Sequence, residues 1–138
     1  MINSEDLSSA KALFGKGGYT CVAVRESTVY YGVKCGIAPL IDFINEKNLE
    51  GFAIADKIAG KAAALLYAKM GLSAVYAEVL SVSGEEILKK YNIYYEYKTL
   101  TKNIINRRGD GLCPMEQAVE NIADPDEAYK VLSAKIKK

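Results

Sequence analysis

The chain has 138 residues, of which 50% are hydrophobic and 25% charged, the length and composition of one ordinary globular domain over residues 1–138. A formal net charge of +1, from 18 basic and 17 acidic residues, argues against a nucleic-acid or acidic-membrane partner drawn in by a strong field. There is no histidine, which excludes Ser-His-Asp and Cys-His nucleophile pairs, histidine metal ligands and imidazole proton transfer.

In chain order, Asn3 or Ser4 is expected to cap a short amphipathic helix over residues 3–14. Glu5 and Asp6 lie in its first turn, Leu7, Ala10, Leu13 and Phe14 on one face, and Gly15 at its end. Tyr19–Arg25 and Thr28–Val33 are β-branched and aromatic runs joined at Glu26-Ser27, which reads as an antiparallel hairpin. After the break at Cys35-Gly36-Ile37, Pro39 suits the first turn of a helix running to about Lys47. Gly51–Ala55 is short and uniformly apolar, as in a strand buried on both faces. Asp56 is then expected to cap a helix over Lys57–Met70, which Gly71 closes. Ala74–Leu80 is another strand, and Ser83-Gly84-Glu85-Glu86 reads as a capping box opening a helix to Tyr91. Ile93–Leu100 alternates as a strand with one wetter face. Asn103–Arg107 is read as one helical turn and Arg107–Gly111 as a loop. Pro114 opens a helix to Asn121, and Asp124-Pro125-Asp126-Glu127 caps a last one ending in Lys135–Lys138. A hairpin followed by alternating helices and strands predicts an α/β domain, a three-layer α/β/α sandwich around a mixed sheet.

Three well-separated cysteines, Cys21, Cys35 and Cys113, form no CxxC pair. They imply reduced thiols in a cytoplasmic protein rather than a disulfide framework. The first residues lack the basic and apolar regions of a leader. The longest nearly uncharged run, Ile58–Met70, falls short of the ~20 residues that span a bilayer, so a soluble protein without a membrane partner is expected.

Chemistry concentrates in two places. Ala55-Asp56-Lys57-Ile58-Ala59-Gly60-Lys61-Ala62 lies between a strand and a helix, where ligands of parallel sheets bind. It approaches a phosphate-binding loop, but Ala55 stands at the first glycine position and Ala62 at the metal-binding hydroxyl position, which excludes a nucleotide triphosphatase. Read as helical, Lys57 and Lys61 share one face beside free backbone N–H groups and invite an anion. The plainer alternative makes Asp56 a cap, the lysines solvated and Gly60 a packing residue. The second place is Asn103–Glu116, where Asn106, Arg107, Cys113 and Glu116 are candidate ligand contacts. Cys113 precedes a helix start, but Glu116 in the same turn opposes a thiolate. The Arg108-Gly109-Asp110 triplet reads as a turn. Glu78, inside an apolar strand, either pairs with a lysine or points into a pocket. The ten tyrosines, several within Tyr91–Tyr97, favour a sheet face or a dimer contact over base stacking.

The strings GIAPL, ADKIAGKAAALL and NIINRRGDGLCPMEQAV, in this order, resemble a small uncharacterised prokaryotic family classed with the cytidine-deaminase-like fold. The resemblance spans nearly the whole chain and implies an α/β/α sandwich of the deaminase superfamily with no established substrate. In zinc deaminases a His-or-Cys-x-Glu motif and a Pro-Cys-x-x-Cys motif hold the metal. The corresponding places here are Cys35-Gly36-Ile37 and Asp56–Gly60. Ile37 replaces the proton-shuttling glutamate and both later cysteines are missing, so one thiol is left where catalytic zinc needs three protein ligands. No metal, no cofactor and no zinc-dependent deamination are therefore expected. The leading expectation is a zinc-free deaminase-like domain that binds a small anionic, nucleotide-like ligand at helix N-termini. Gly36, Asp56, Lys57, Gly60 and Lys61 would line the site, with Asn106, Arg107, Cys113 and Glu116 closing over it. Asp56, Lys57 and Glu116 are the weak catalytic candidates. The alternative is a non-catalytic interaction module or homodimer using the Tyr-rich last strand.

Overall fold

A computed structural model describes residues 4–105, 109 and 111–136. The elements are α1 (Ser4–Gly15), β1 (Cys21–Arg25), β2 (Thr28–Gly32), α2 (Ala38–Glu46), β3 (Ala53–Ala59), α3 (Lys61–Met70), β4 (Ala74–Ser81), α4 (Val82–Lys90), β5 (Tyr94–Thr101), α5 (Pro114–Ala118) and α6 (Pro125–Ile136). The five strands form one sheet in the order β2-β1-β3-β4-β5. β1 runs antiparallel to both β2 and β3, while β3, β4 and β5 are parallel. The mixed sheet and its helical layers are those expected from the alternation of elements.

Central position explains why β1 and the first half of β3 carry no alternation: both faces are covered. On one face, Ala10 and Phe14 of α1 pack against Val22, Val24 and Ala55. On the other, Cys21, Ala23, Ile54, Val75 and Ala77 meet the buried side of α3. α3 is the hub of that layer, touching α2, α4, α5 and α6. Its alanines let helix and sheet approach closely, and its left-handed stop at Gly71 (φ 72°) is the one the sequence announces. The hairpin turn is also as read, with Glu26 in the left-handed region (φ 55°). Its backbone N–H donates to the buried Asp6 carboxylate at 2.9 Å.

Three expectations fail locally. The strand read as Gly51–Ala55 continues through Asp56 to Ala59, and α3 begins at Lys61, not Lys57. Parallel pairing to β4 (Asp56↔Ala77, Ile58↔Val79, Ala59↔Leu80) outweighs the local capping signal of Asp56. Lys57 and Lys61 therefore do not share a helix face. The cap of α4 is Ser81, not Ser83: the Ser81 hydroxyl accepts from Gly84 N–H at 3.0 Å while the Ser83 hydroxyl only meets that of Ser81. Asn103–Arg107 is not a helical turn over its described part, because Ile105 forms an antiparallel bridge with Leu112. No helix among the described residues is long and apolar enough to cross a membrane.

The fully buried Ser81 cap carries an energetic consequence. S81A is expected to lower unfolding free energy by about 1 kcal/mol in urea titrations, the usual worth of an N-cap, and S83A by less than about half of that.

Candidate functional site

At the carboxyl end of β3 the chain turns at Gly60 into α3, the position in a parallel sheet where ligands are usually bound. Three groups shape this turn. The first is Asp56, 6% exposed. Its Oδ1 accepts from its neighbour's backbone, Lys57 N–H, at 2.8 Å, and its Oδ2 accepts from the Tyr67 hydroxyl at 2.5 Å. Burial dominates its ionisation and pushes the carboxyl up to about 7, against the two hydrogen bonds that favour the charged form. Burial, with the Asp56 charge added, pushes both the Tyr67 phenol and the Cys21 thiol upward. Cys21 is thus an inert buried thiol at neutral pH.

The second group is Glu116 of α5, 7% exposed. Its Oε1 accepts from Lys61 N–H and its Oε2 from Ala62 N–H, each at 2.8 Å. These are the first two amides of α3, whose N-cap, Gly60, offers no side chain. A helix start leaves such amides without partners and carries a partial positive charge, so a carboxylate there is stabilised twice over. The anion expected at this helix end is present, and it belongs to the protein. The third group is Gly60 itself. A Cβ there would stand 2.4 Å from Glu116 Oε1, and a Cβ at Gly84 would stand 3.0 Å from the Gly60 carbonyl. Gly60 therefore lies between the carboxylate and the start of α4, and only a hydrogen fits on it.

A cavity of about 730 Å³ opens beside this turn. Of the residues singled out from sequence, Gly36, Asp56, Lys57, Gly60, Cys113 and Glu116 all line it. Lys61 does not, because its ammonium donates to the Glu120 carbonyl at 3.0 Å. Asn106 and Arg107 lie outside the described residues, as do Arg108 and Asp110 of the turn triplet. Glu78 is half-buried in β4 and away from this cavity. Most of the remaining wall is apolar: Ile37, Ile58, Ile104, Met115 and Ile136 contribute to it. Sequence reading missed that apolar wall, and it missed Tyr67. A lone ring with a polar tip inside an Ala/Leu helix was the available signal for Tyr67, but nothing local says that it meets Asp56. A smaller groove of about 280 Å³ lies by Tyr30 and Phe43. It is crossed by the Lys34–Asp42 ion pair at 2.8 Å.

The donor set does not suit zinc. Cys35 is exposed, and the next position of the motif is the buried Ile37. Both oxygens of Asp56 and of Glu116 already accept hydrogen bonds. Among the described residues no three Cys, Asp or Glu side chains are grouped to hold a metal ion, whereas catalytic zinc takes three protein ligands.

Two outcomes follow from these contacts. E116A, leaving two helix amides without acceptors, is expected to cost about 2–4 kcal/mol in chemical denaturation. E116Q should recover only part, since an amide nitrogen cannot accept the second N–H. Asp56 sets a pH dependence. Its carboxyl binds a proton more tightly folded (about 7) than unfolded (reference value 3.8). Stability is therefore fully present below the unfolded value, falls as pH rises through about 7, and is level above it. Melting temperature should decline from pH 5 to pH 8 in the wild type, and D56N should remove most of that slope.

Comparison with known proteins places this architecture. None of the curated proteins matches the chain. The crystal structure of a DUF1893 family protein from Thermotoga maritima superposes with a TM-score of 0.90 at 25% sequence identity, covering 98% of this chain and 92% of that one. The crystal structure of dCMP deaminase from the cyanophage S-TIM5, in apo form, gives a TM-score of 0.44 at 11% identity. That likeness covers 68% of this chain and 94% of that one. The family model described as Domain of unknown function (DUF1893) matches residues 9–136, and the chain belongs to that family.

Proposed function

We propose that this chain is a zinc-free small-molecule-binding domain whose ligand occupies the cavity between β3, α3 and the segment that carries Glu116. The observation that carries this reading is the buried Asp56 carboxyl facing a largely apolar cavity of about 730 Å³. That volume is within the range of drug-sized ligand sites, roughly 300–1,000 Å³, and a few polar groups on an apolar wall are their usual composition.

The chemistry of the wall narrows the ligand. Glu116 holds the α3 amides, so a ligand phosphate does not bind at that helix start, and among the described residues Lys57 is the cation on the wall. The cavity therefore favours a nucleoside-sized heterocycle with at most one negative group, which would lie near Lys57. Asp56 supplies recognition. With Oδ1 and Oδ2 each already accepting one hydrogen bond, the protonated carboxyl has its own O–H left to donate to a ring nitrogen or carbonyl of the ligand. For proton transfer, Asp56 is the group whose carboxyl burial pushes up to about 7, near neutral pH. Glu116 is committed to the helix.

A thermal-shift series on the full chain tests this reading with nucleobases, nucleosides and nucleoside monophosphates as probes. A base or nucleoside at 100 times its Kd should stabilise the protein by about 2.7 kcal/mol. The effect should be larger at pH 6 than at pH 8, and absent in I58W, which fills the cavity from the half-exposed rim position Ile58. Shifts by none of the probes, or shifts that survive I58W, would overturn the proposal.

A further inference from the structure

β5 is the outer strand of the sheet, with β4 on one side and no strand among the described residues on the other. It is eight residues long, Tyr-Tyr-Glu-Tyr-Lys-Thr-Leu-Thr, without proline. Such an edge presents a row of unpaired N–H and C=O groups that can template another strand. The opposite edge, β2, has five residues and ends at Gly32, whose Cβ position is filled by Pro39 and Cys21. The side chains of β5 are also unlike those of a wetted edge. Tyr94, Tyr97 and Leu100 are 43%, 41% and 40% exposed.

Period two sorts these side chains. Tyr94, Glu96, Lys98 and Leu100 share the face of α1, where Lys11 pairs with Glu96 at 2.8 Å. Tyr95, Tyr97 and Thr99 share the other face, where Tyr95 donates to Glu85 of α4 at 2.7 Å and stacks on Tyr97. Lys98 is exposed and joins none of the ion pairs among the described residues. A lysine on an edge ordinarily discourages pairing. Here it stands two residues from a glutamate on the same face, and that spacing makes the strand complementary to itself in one arrangement.

We propose that β5 pairs with β5 of a second copy of this chain, antiparallel, about a two-fold axis at Tyr97. This register sets Glu96 opposite the partner's Lys98 and Lys98 opposite the partner's Glu96. It also sets Tyr94 against Leu100, Tyr95 against Thr99, and the two Tyr97 rings against one another. Shifting the axis by one residue puts Glu96 opposite Glu96 or Lys98 opposite Lys98. Parallel pairing in register does both. Charge thus selects the Tyr97-centred register among the near alternatives, since like charges directly opposite are destabilising and opposite charges stabilising. Backbone bonds across the edge would supply affinity, and the side-chain pairs the register, as in strand addition generally. A C2 contact of this kind is closed, so pairing at β5 ends at the dimer.

The test is a charge exchange read by sedimentation equilibrium of the full chain at micromolar concentration. Wild type should be a dimer. K98E should weaken the dimer about tenfold or more, because symmetry places two like-charge pairs in each complex. E96K should do the same. An equimolar mixture of K98E and E96K should restore the dimer, since each chain then meets the opposite charge at both positions. Should loss of the Lys11 contact leave E96K unfolded, L100D decides in its place: it too should be monomeric, with circular dichroism unchanged. A monomeric wild type overturns the proposal. So does a dimer indifferent to K98E and L100D, or a mixture of folded variants that fails to recover.

Discussion

The carboxylate of Glu116 on the first two amides of α3 is the contact from which the cavity-bearing half of this domain is built. A buried carboxylate is costly unless its lone pairs are filled, and two backbone N–H groups at a helix start fill them while the helix dipole lowers the energy of the charge. The arrangement leaves no room at Gly60 for a side chain, which draws the strand-to-helix turn tight and brings Gly84 of α4 against it. It also holds α5, and with it Cys113, Pro114 and Met115, as the far wall of the cavity. One interaction thus closes a helix, fixes a turn and shapes the cavity.

Asp56 complements it by contrast. The two carboxyls lie close in the fold and are equally buried, at 6% and 7% exposure, but their surroundings separate their roles. Glu116 meets two backbone donors at the positive end of a helix and acts as a structural anion. Asp56 meets one backbone amide and one phenol within the sheet layer, and burial keeps its proton within reach of neutral pH. In a chain without histidine, a carboxyl poised in this way is a route to a group that changes protonation near pH 7.

Most of the architecture was legible in the sequence because it rests on local signals: the hairpin at Glu26-Ser27, the alanine helix stopped by Gly71, the alternation of β5. The site was legible as a set of residues and not as a geometry. Asp56 followed by Lys57 reads locally as a helix start, and only pairing with β4 shows it to be strand. Capping by a residue 55 positions away leaves no trace in a short window, so local signals start α3 too early and turn Lys61 toward the cavity instead of the Glu120 carbonyl. The Asp56–Tyr67 bond was invisible for a related reason. The partners lie on different elements, and no single period runs across the strand-to-helix turn that separates them. Ser81 escapes notice because Ser83-x-x-Glu86 imitates a capping box closely enough to hide the better cap.

The clamp also orders events in time. The amides of α3 are made near the middle of the chain, and the carboxylate that completes them arrives after all five strands of the sheet have been synthesised. Until then the central helix has a bare, polar beginning facing an unfinished cavity, and a nascent or truncated chain carries that defect at the centre of its sheet. Local folding can assemble the hairpin and the first crossover, but the last quarter of the sequence must be present before the domain closes as one cooperative unit. The cavity is therefore the last part of the molecule to exist, and its wall and the integrity of its principal helix are gained or lost together.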